Sequence, residues 1–483
     1  MRKAMLVGLL AFGSLAGPLC VLSGYDLAAQ YVDDAFYYFQ IARHVAHGLG
    51  PTFDGLHATN GFHPLWLMVL VPIFGAVPGL DEAVRVAGLC EAGFVACGAA
   101  LMYRGLAARR SRQEALLAAL LTFAMPGTRG VLRTGLEGAL VFVLLVLVWH
   151  AWLRWKDGAP RALLQLGACV ALLALARLEC TAFMLALAFW ERRVLFKDRR
   201  ALALLVLPTS LALSVYIGFN LARFGIPLPV SGMVKHAAHA RRGMSTSLWT
   251  LLLAAAALAA IAYGIRARAP ELAARLSHSG AGWLLLGAAA VFGADLLSLG
   301  GLQSWYWVPV LPGLAIALAS VVRRYQLLMT LASASLVVAA LARVPHAVRV
   351  TRHTRMHAHI RGEAADALRA LVPAGTPIGA WNGGMLGYYS KLPVVMLDGL
   401  ANDAAFYRRV VEKHDLAGYL ADEHIRTLAV TSCKLVWVAR ELSPAIAAQL
   451  ERRVVKRAAL ARDPSTDPCH AYSLWELAQP LVD

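Results

Sequence analysis

The chain is 483 residues long, 59% of them hydrophobic, and carries a formal net charge of +17. Soluble domains hold roughly 45 to 50% apolar residues, so this composition, with a mean hydropathy of +0.59, excludes an ordinary water-soluble globule and requires a bilayer. The positive charge does not point to nucleic acid as a partner, because most Arg and Lys residues stand in short clusters between apolar runs, the pattern that orients membrane proteins.

Those clusters, taken as markers of the cytoplasmic side, thread the chain. Arg2 and Lys3 precede an apolar run over about 4–23 that resembles a signal peptide but is long enough to span, and many further spans follow it. It leads into a long outer loop, 24–83. Spans are then expected near 84–103, 114–126 and 136–153, with two short pieces, 162–176 and 180–190, making a shallow excursion that turns at Arg177-Leu178-Glu179. Further spans are expected at 201–222, 247–265, 282–300, 306–322 and 326–343, giving eleven crossings with the N-terminus cytoplasmic and everything after Arg343 outside. The apolar stretch Leu65 to Gly79 would invert every later segment if it crossed, so it is read as a re-entrant or interface-lying helix.

Beyond 343 the pattern becomes mixed. Helices are expected at 363–371 and 403–411 and strands at 377–381, 393–397 and 427–431, a small α/β unit. The expected architecture is an all-α polytopic membrane bundle of about 11 transmembrane helices over residues 1–343, followed by an extracytoplasmic α/β domain over 344–483. Five of the seven cysteines fall in apolar runs; Cys433 and Cys469 lie in the polar part, where an oxidising compartment would let them pair. No metal-binding Cys/His spacing or phosphate-binding glycine loop is evident.

With this threading, the unusual polar residues gather on the outer face: Asp33, Asp34, Asn60, His63, Arg133, Glu137, Arg177, Glu179, Lys235, His236 and Gln303. Charges at a membrane edge are costly and mark substrate pathways. The adjacent acids Asp33 and Asp34 suit a general base or a divalent cation, although Asp33 equally suits a helix N-terminus. Glu137 could likewise only favour a helix dipole, and Arg177 and Glu179 could only pair with each other. Acids together with Arg, Lys and His at the mouth of a bundle suit a phosphate-bearing lipid substrate. The run Trp305-Tyr306-Trp307 reads as an interfacial aromatic belt.

The order of motifs resembles the GT-C glycosyltransferases, membrane enzymes that use polyprenyl-phosphate sugars. The bacterial branch related to protein mannosyltransferases, aminoarabinose transferases and arabinofuranosyltransferases is the most similar. The matching pieces are Asp33-Asp34-Ala35-Phe36-Tyr37, Asn60-Gly61-Phe62-His63-Pro64-Leu65-Trp66, Thr134-Gly135-Leu136-Glu137, Arg177-Leu178-Glu179, Phe224-Gly225-Ile226-Pro227-Leu228-Pro229 with Ser231 and Lys235, and Trp307-Val308-Pro309-Val310-Leu311-Pro312. Gly384-Met385-Leu386-Gly387-Tyr388-Tyr389 and Leu397-Asp398-Gly399-Leu400 are similar to pieces of the family's outer domain. Leu178 departs from a common proline and Gly138 from a common threonine.

The resemblance implies a transfer of a sugar from a polyprenyl-phosphate carrier to an acceptor hydroxyl, on the periplasmic side of a bacterial inner membrane. It would be an inverting single displacement with Asp33 or Asp34 as general base. Asn60, His63, Glu137, Arg177, Glu179, Lys235 and His236 become substrate-binding candidates, with Arg177, Lys235 and a histidine stabilising the phosphate charge. Some relatives hold magnesium or manganese between acids and others do not, so a divalent cation stays open, as do the sugar and a glycan, lipid or protein acceptor. A lipid-linked saccharide transporter or flippase, and an inactive scaffold of the same fold, are the alternatives. Charges gathered on one side, with no paired repeat, count against transport.

Overall fold

The computed structural model describes residues 2–125, 128–242, 266–299, 303–322, 330–338, 352–431, 450, 454–461 and 471–478. The expected span 247–265, most of 326–343, and both Cys433 and Cys469 lie outside them.

The membrane part is helical, because a bilayer leaves backbone groups no partner but each other. In chain order its helices are α1 (Arg2–Val21), α2 (Asp33–Ala46), α3 (Pro64–Ala76), α4 (Leu80–Ala107), α5 (Arg112–Phe123), α6 (Gly138–Lys156), α7 (Ala162–Ala176), α8 (Ala182–Trp190), α9 (Arg199–Phe224), α10 (Val230–Arg242), α11 (Pro270–His278), α12 (Ala281–Leu299) and α13 (Leu311–Val322). Among the described residues five helices are long and apolar enough to cross a membrane. A sixth span would be the pair α11 and α12, bent by 77°. The chain is a multi-pass membrane protein. Of the eleven crossings expected from sequence, 247–265 and most of 326–343 lie outside the described residues, and the helices found at 112–123, 162–176 and 182–190 are shorter than a full span.

Local chemistry sets the helix ends. The Ser111 hydroxyl accepts from the Glu114 amide at 3.1 Å and opens α5, while the Asp198 carboxylate accepts from the Arg200 and Ala201 amides and opens α9. Burial follows position in the bundle. In α6 78% of the apolar window is buried, placing it at the centre; in α9 only 17% is, and Leu207, Leu211, Val215 and Phe219 face outward. Exposed leucine costs nothing in hydrocarbon, so α9 is a lipid-facing helix. Helix α3 has 13 residues, about 20 Å at 1.5 Å per residue, short of the ~30 Å hydrocarbon core.

The C-terminal part contains α14 (Arg352–Leu371), α15 (Gly384–Ser390) and α16 (Leu416–Asp422) with a five-stranded sheet. Its strands β1 (Ile378–Ala380), β2 (Val394–Met396), β3 (Thr427–Thr431), β4 (Val454–Ala461) and β5 (Tyr472–Leu477) run in the order β2-β1-β3-β5-β4. The first three are parallel; β5 pairs antiparallel with β3 and β4. The helix expected at 363–371 begins eleven residues earlier, at Arg352. Its polar first turns are held by partners distant in sequence: Arg355 Nε donates to Asp26 Oδ1 at 2.6 Å and His359 lies 2.8 Å from the same oxygen. The helix expected at 403–411 is split into a short turn capped by Asp403 and a π-helical turn, Tyr407–Glu412.

This domain sits on the segment between α1 and α4 and on the start of α4. Tyr25 donates to Asp366 at 2.6 Å, Tyr388 to the Leu80 carbonyl at 2.8 Å, and Tyr389 to Asp81 at 3.1 Å. One apolar core runs from the bundle through Tyr388 and Tyr389 into the sheet.

Candidate active site

Asp33 and Asp34 occupy the first turn of α2, and consecutive helical residues point about 100° apart. They have separate fates. Asp33, 8% exposed, accepts hydrogen bonds from the Gly384 and Met385 amides at 3.0 and 3.1 Å and faces the Arg361 guanidinium at 3.8 Å. Asp34 lies on the wall of a cavity of about 570 Å³.

Three loops bring the rest of the wall together. The Asn60 side chain donates to the Leu228 carbonyl and accepts from the Val230 amide, both at 3.0 Å, tying the 225–229 loop to the loop before α3. That tie starts α10 where Ser231, Lys235 and His236 reach the cavity. The Thr134–Leu136 turn is held from three sides: Trp66 donates to the Gly135 carbonyl at 3.0 Å, the Gly135 amide donates to Glu91 at 3.0 Å, and Arg133 donates to the Leu15 carbonyl at 2.7 Å. It presents Glu137, 5% exposed, at the head of α6. Between α7 and α8, the break at Arg177 turns Arg177 and Glu179 inward.

At the centre is Arg177, 2% exposed. Its Nε donates to Glu179 Oε1 at 2.5 Å, Nη2 lies 3.5 Å from Asp295 Oδ2, and Nη1 lies 4.0 Å from Glu137 Oε1. The guanidinium also stacks 4.4 Å from the centre of the Tyr306 ring. His63 Nε2 approaches Glu137 at 3.8 Å. One buried cation thus holds three carboxylates, which alone would repel one another.

Lys235 makes no ion pair with the described residues. Burial opposes its charge, yet Tyr306, Asp34 and Glu137 outweigh burial and raise its pKa above the ordinary lysine value, so it is cationic at neutral pH. The C-terminal domain closes the cavity with Leu400 and Tyr407.

Of the residues singled out from sequence, Asp34, His63, Glu137, Arg177, Glu179, Lys235 and His236 line this cavity. Asp33 and Asn60 stand behind it, as does Arg133, which is buried in helix packing; Gln303 is exposed outside the lining. Sequence reasoning missed Asp295, whose signal was a lone acid within an apolar run. It also missed Tyr306 as a cavity residue.

Among the described residues no three His, Cys, Asp or Glu side chains converge as ligands. The three acids that do gather surround the Arg177 guanidinium.

Over 99% of its length the chain superposes on 98% of ArnT from Cupriavidus metallidurans bound to undecaprenyl phosphate, with a TM-score of 0.57 and 12% identity. The apo form of that protein matches over 98% of this chain and 97% of its own, with a TM-score of 0.56 and 13% identity. The chain has the GT-C fold. Residues 348–474 match a family described as a domain of unknown function, DUF8728, and no curated protein sequence matches. In the GT-C arrangement seen here, that domain supplies two of the cavity's wall residues, Leu400 and Tyr407.

Proposed function

We propose that this protein is an integral membrane glycosyltransferase that moves a sugar from a polyprenyl-phosphate carrier to an acceptor hydroxyl. The reading rests above all on one observation: Asp34 and Lys235, an acid and a cation, share a cavity with the Arg177-centred carboxylates in a bundle of this fold. The neighbour's complex with undecaprenyl phosphate supports a lipid-phosphate donor.

In this mechanism Asp34 accepts the proton of the acceptor hydroxyl as its oxygen forms a bond to the anomeric carbon. The bond from that carbon to the phosphate oxygen breaks, its electron pair leaves on polyprenyl phosphate, and the anomeric configuration inverts. Lys235, with His63 and His236 beside it, stabilises the leaving phosphate. Arg177 is already committed to three carboxylates, so its role is to hold Glu137, Glu179 and Asp295 in place for sugar hydroxyls. Asp33 acts from outside the cavity by positioning α2.

The test is a comparison of surface glycans between a deletion strain and its parent. We expect one sugar substituent to disappear on deletion, to return with the wild-type chain, and to stay missing with Asp34→Asn. Full restoration by Asp34→Asn would remove Asp34 from the chemistry; unchanged glycans on deletion would remove the transferase reading.

A further inference from the structure

A second cavity, of about 240 Å³, lies at the other end of the bundle and takes no part in the site above. The two ends are separated along α6. The first cavity touches Glu137 at its head, whereas the second touches Trp149 and Leu153, roughly three to four helical turns on. Its remaining lining is Leu106 at the end of α4, Arg109 and Arg110 in the turn before α5, and His278 and Ser279 at the bend between α11 and α12.

This lining has two characters. Leu106, Trp149 and Leu153 form an apolar wall, and Trp149 is fixed by donating from Nε1 to the Ser279 carbonyl at 2.7 Å. Arg109, Arg110 and His278 form a basic one. Arg109 is partly committed: it pairs with Asp157 and makes long contacts, 3.4 Å, to the Gly105 and Leu153 carbonyls. Arg110 spends one donor on the Arg275 carbonyl at 3.2 Å, and its other N–H groups have no partner among the described residues. His278, at the end of α11, likewise has none.

We propose that this cavity binds the phosphate group of an anionic phospholipid, with Arg110 and His278 on the phosphate and Leu106, Trp149 and Leu153 along the glycerol and first acyl carbons. An apolar wall beside the cations is what a lipid phosphate needs and a free phosphate does not. Basic pockets between helices at a membrane surface recognise such head groups.

The experiment is native mass spectrometry of the full-length protein in detergent, with phosphatidylglycerol or phosphatidylcholine added. We expect preferential retention of phosphatidylglycerol, reduced about fivefold by the charge lost in Arg110→Gln, and reduced as well by the carboxylate that His278→Glu sets against the phosphate. His278 is exposed, so its variant keeps the fold and the result readable. Arg104, exposed at the same end but outside the cavity, is the control, and Arg104→Gln should leave the preference unchanged. Unaltered retention in both cavity variants, or an equal loss in Arg104→Gln, would overturn the proposal. Displacement of the lipid by millimolar inorganic phosphate alone would reassign the cavity to a soluble anion and overturn the lipid assignment.

Discussion

Asp33 and Gly384 are in reciprocal contact: the Gly384 amide donates to Asp33 Oδ2 at 3.0 Å, and the Asp33 carbonyl occupies the space that a Cβ on residue 384 would need. The helix that carries the proposed base is thereby fastened, through the Asp33 carboxylate and the Gly384 and Met385 amides, to the C-terminal domain.

The two adjacent acids should therefore fail differently. Asp34→Asn is expected to abolish transfer and leave thermal unfolding unchanged. Asp33→Ala removes a charged acceptor of two amides, each such bond contributing about 1.5 to 3 kcal/mol, so it should lower the unfolding temperature and increase proteolysis of the C-terminal domain. Measuring turnover and melting for both variants separates the roles.

Gly61 makes the matching contact from the other side, against the Leu400 carbonyl, where an added Cβ would overlap the oxygen. Gly61→Ala and Gly384→Ala should each destabilise the docked domain by about 1 to 3 kcal/mol, the usual cost of overpacking. Thermal unfolding followed by tryptophan fluorescence would read it, and an unchanged transition would show that the backbone contact yields easily.

His57 gives the same interface a pH dependence. Its Nδ1 lies 2.7 Å from Asp54 and its Nε2 3.0 Å from Glu423 of the C-terminal domain. Burial would lower its pKa, but Asp54 and Glu423 outweigh that and raise it to about 9 from an ordinary 6.5. A pKa raised by folding stabilises the folded form fully below the ordinary value, and the contribution is lost as pH rises through about 9. Protease sensitivity of the C-terminal domain should increase from pH 7 to 9.5 in the wild type, and His57→Phe should flatten that response.

Arg177→Lys keeps the charge and loses the fork. A single ammonium cannot reach Glu137, Glu179 and Asp295 from the positions now held by Nη1, Nε and Nη2. Breaking a buried charge cluster costs about 3 to 5 kcal/mol, so a marked fall in melting temperature together with at least a hundredfold loss of transfer is expected. Near-normal activity with Lys would mean that only the charge matters.

Orientation can be tested on the full chain by cysteine accessibility. Lys413, in the C-terminal domain, and Arg112, at the start of α5, are both exposed. We expect Lys413→Cys to react with an impermeant thiol reagent added outside and Arg112→Cys to react only after permeabilisation. The reverse labelling would mean that α3 crosses the bilayer.

Much of this was legible because basic clusters and apolar run lengths report directly on helix ends. The reading at 162–176 coincides with α7, and that at 136–153 falls within three residues of α6 at each end. What sequence could not settle was direction. Asp33 and Asp34 are equivalent as neighbouring letters, and only the helical turn sends one to Gly384 and the other to the cavity. Tyr306 looked like one member of an aromatic belt, because its partner Arg177 is distant in sequence. Asp295 sat in a run whose other residues are apolar, so attention to composition concealed it. Strands β4 and β5 were missed: β4 pairs only with β5, and β5 joins the sheet through β3, which lies far back in sequence.

The meeting of Gly61 with Leu400 and of Gly384 with Asp33 also bears on engineering. Because main-chain atoms meet closely at these junctions, an exchanged C-terminal domain would seat correctly only if it kept a glycine at 384 and brought its residue-400 carbonyl against Gly61 of the membrane part. Side chains facing the enclosed space, Leu400 and Tyr407 among them, could then be varied without shifting the frame, which makes a fixed scaffold with an interchangeable ceiling a practical route to altered selectivity.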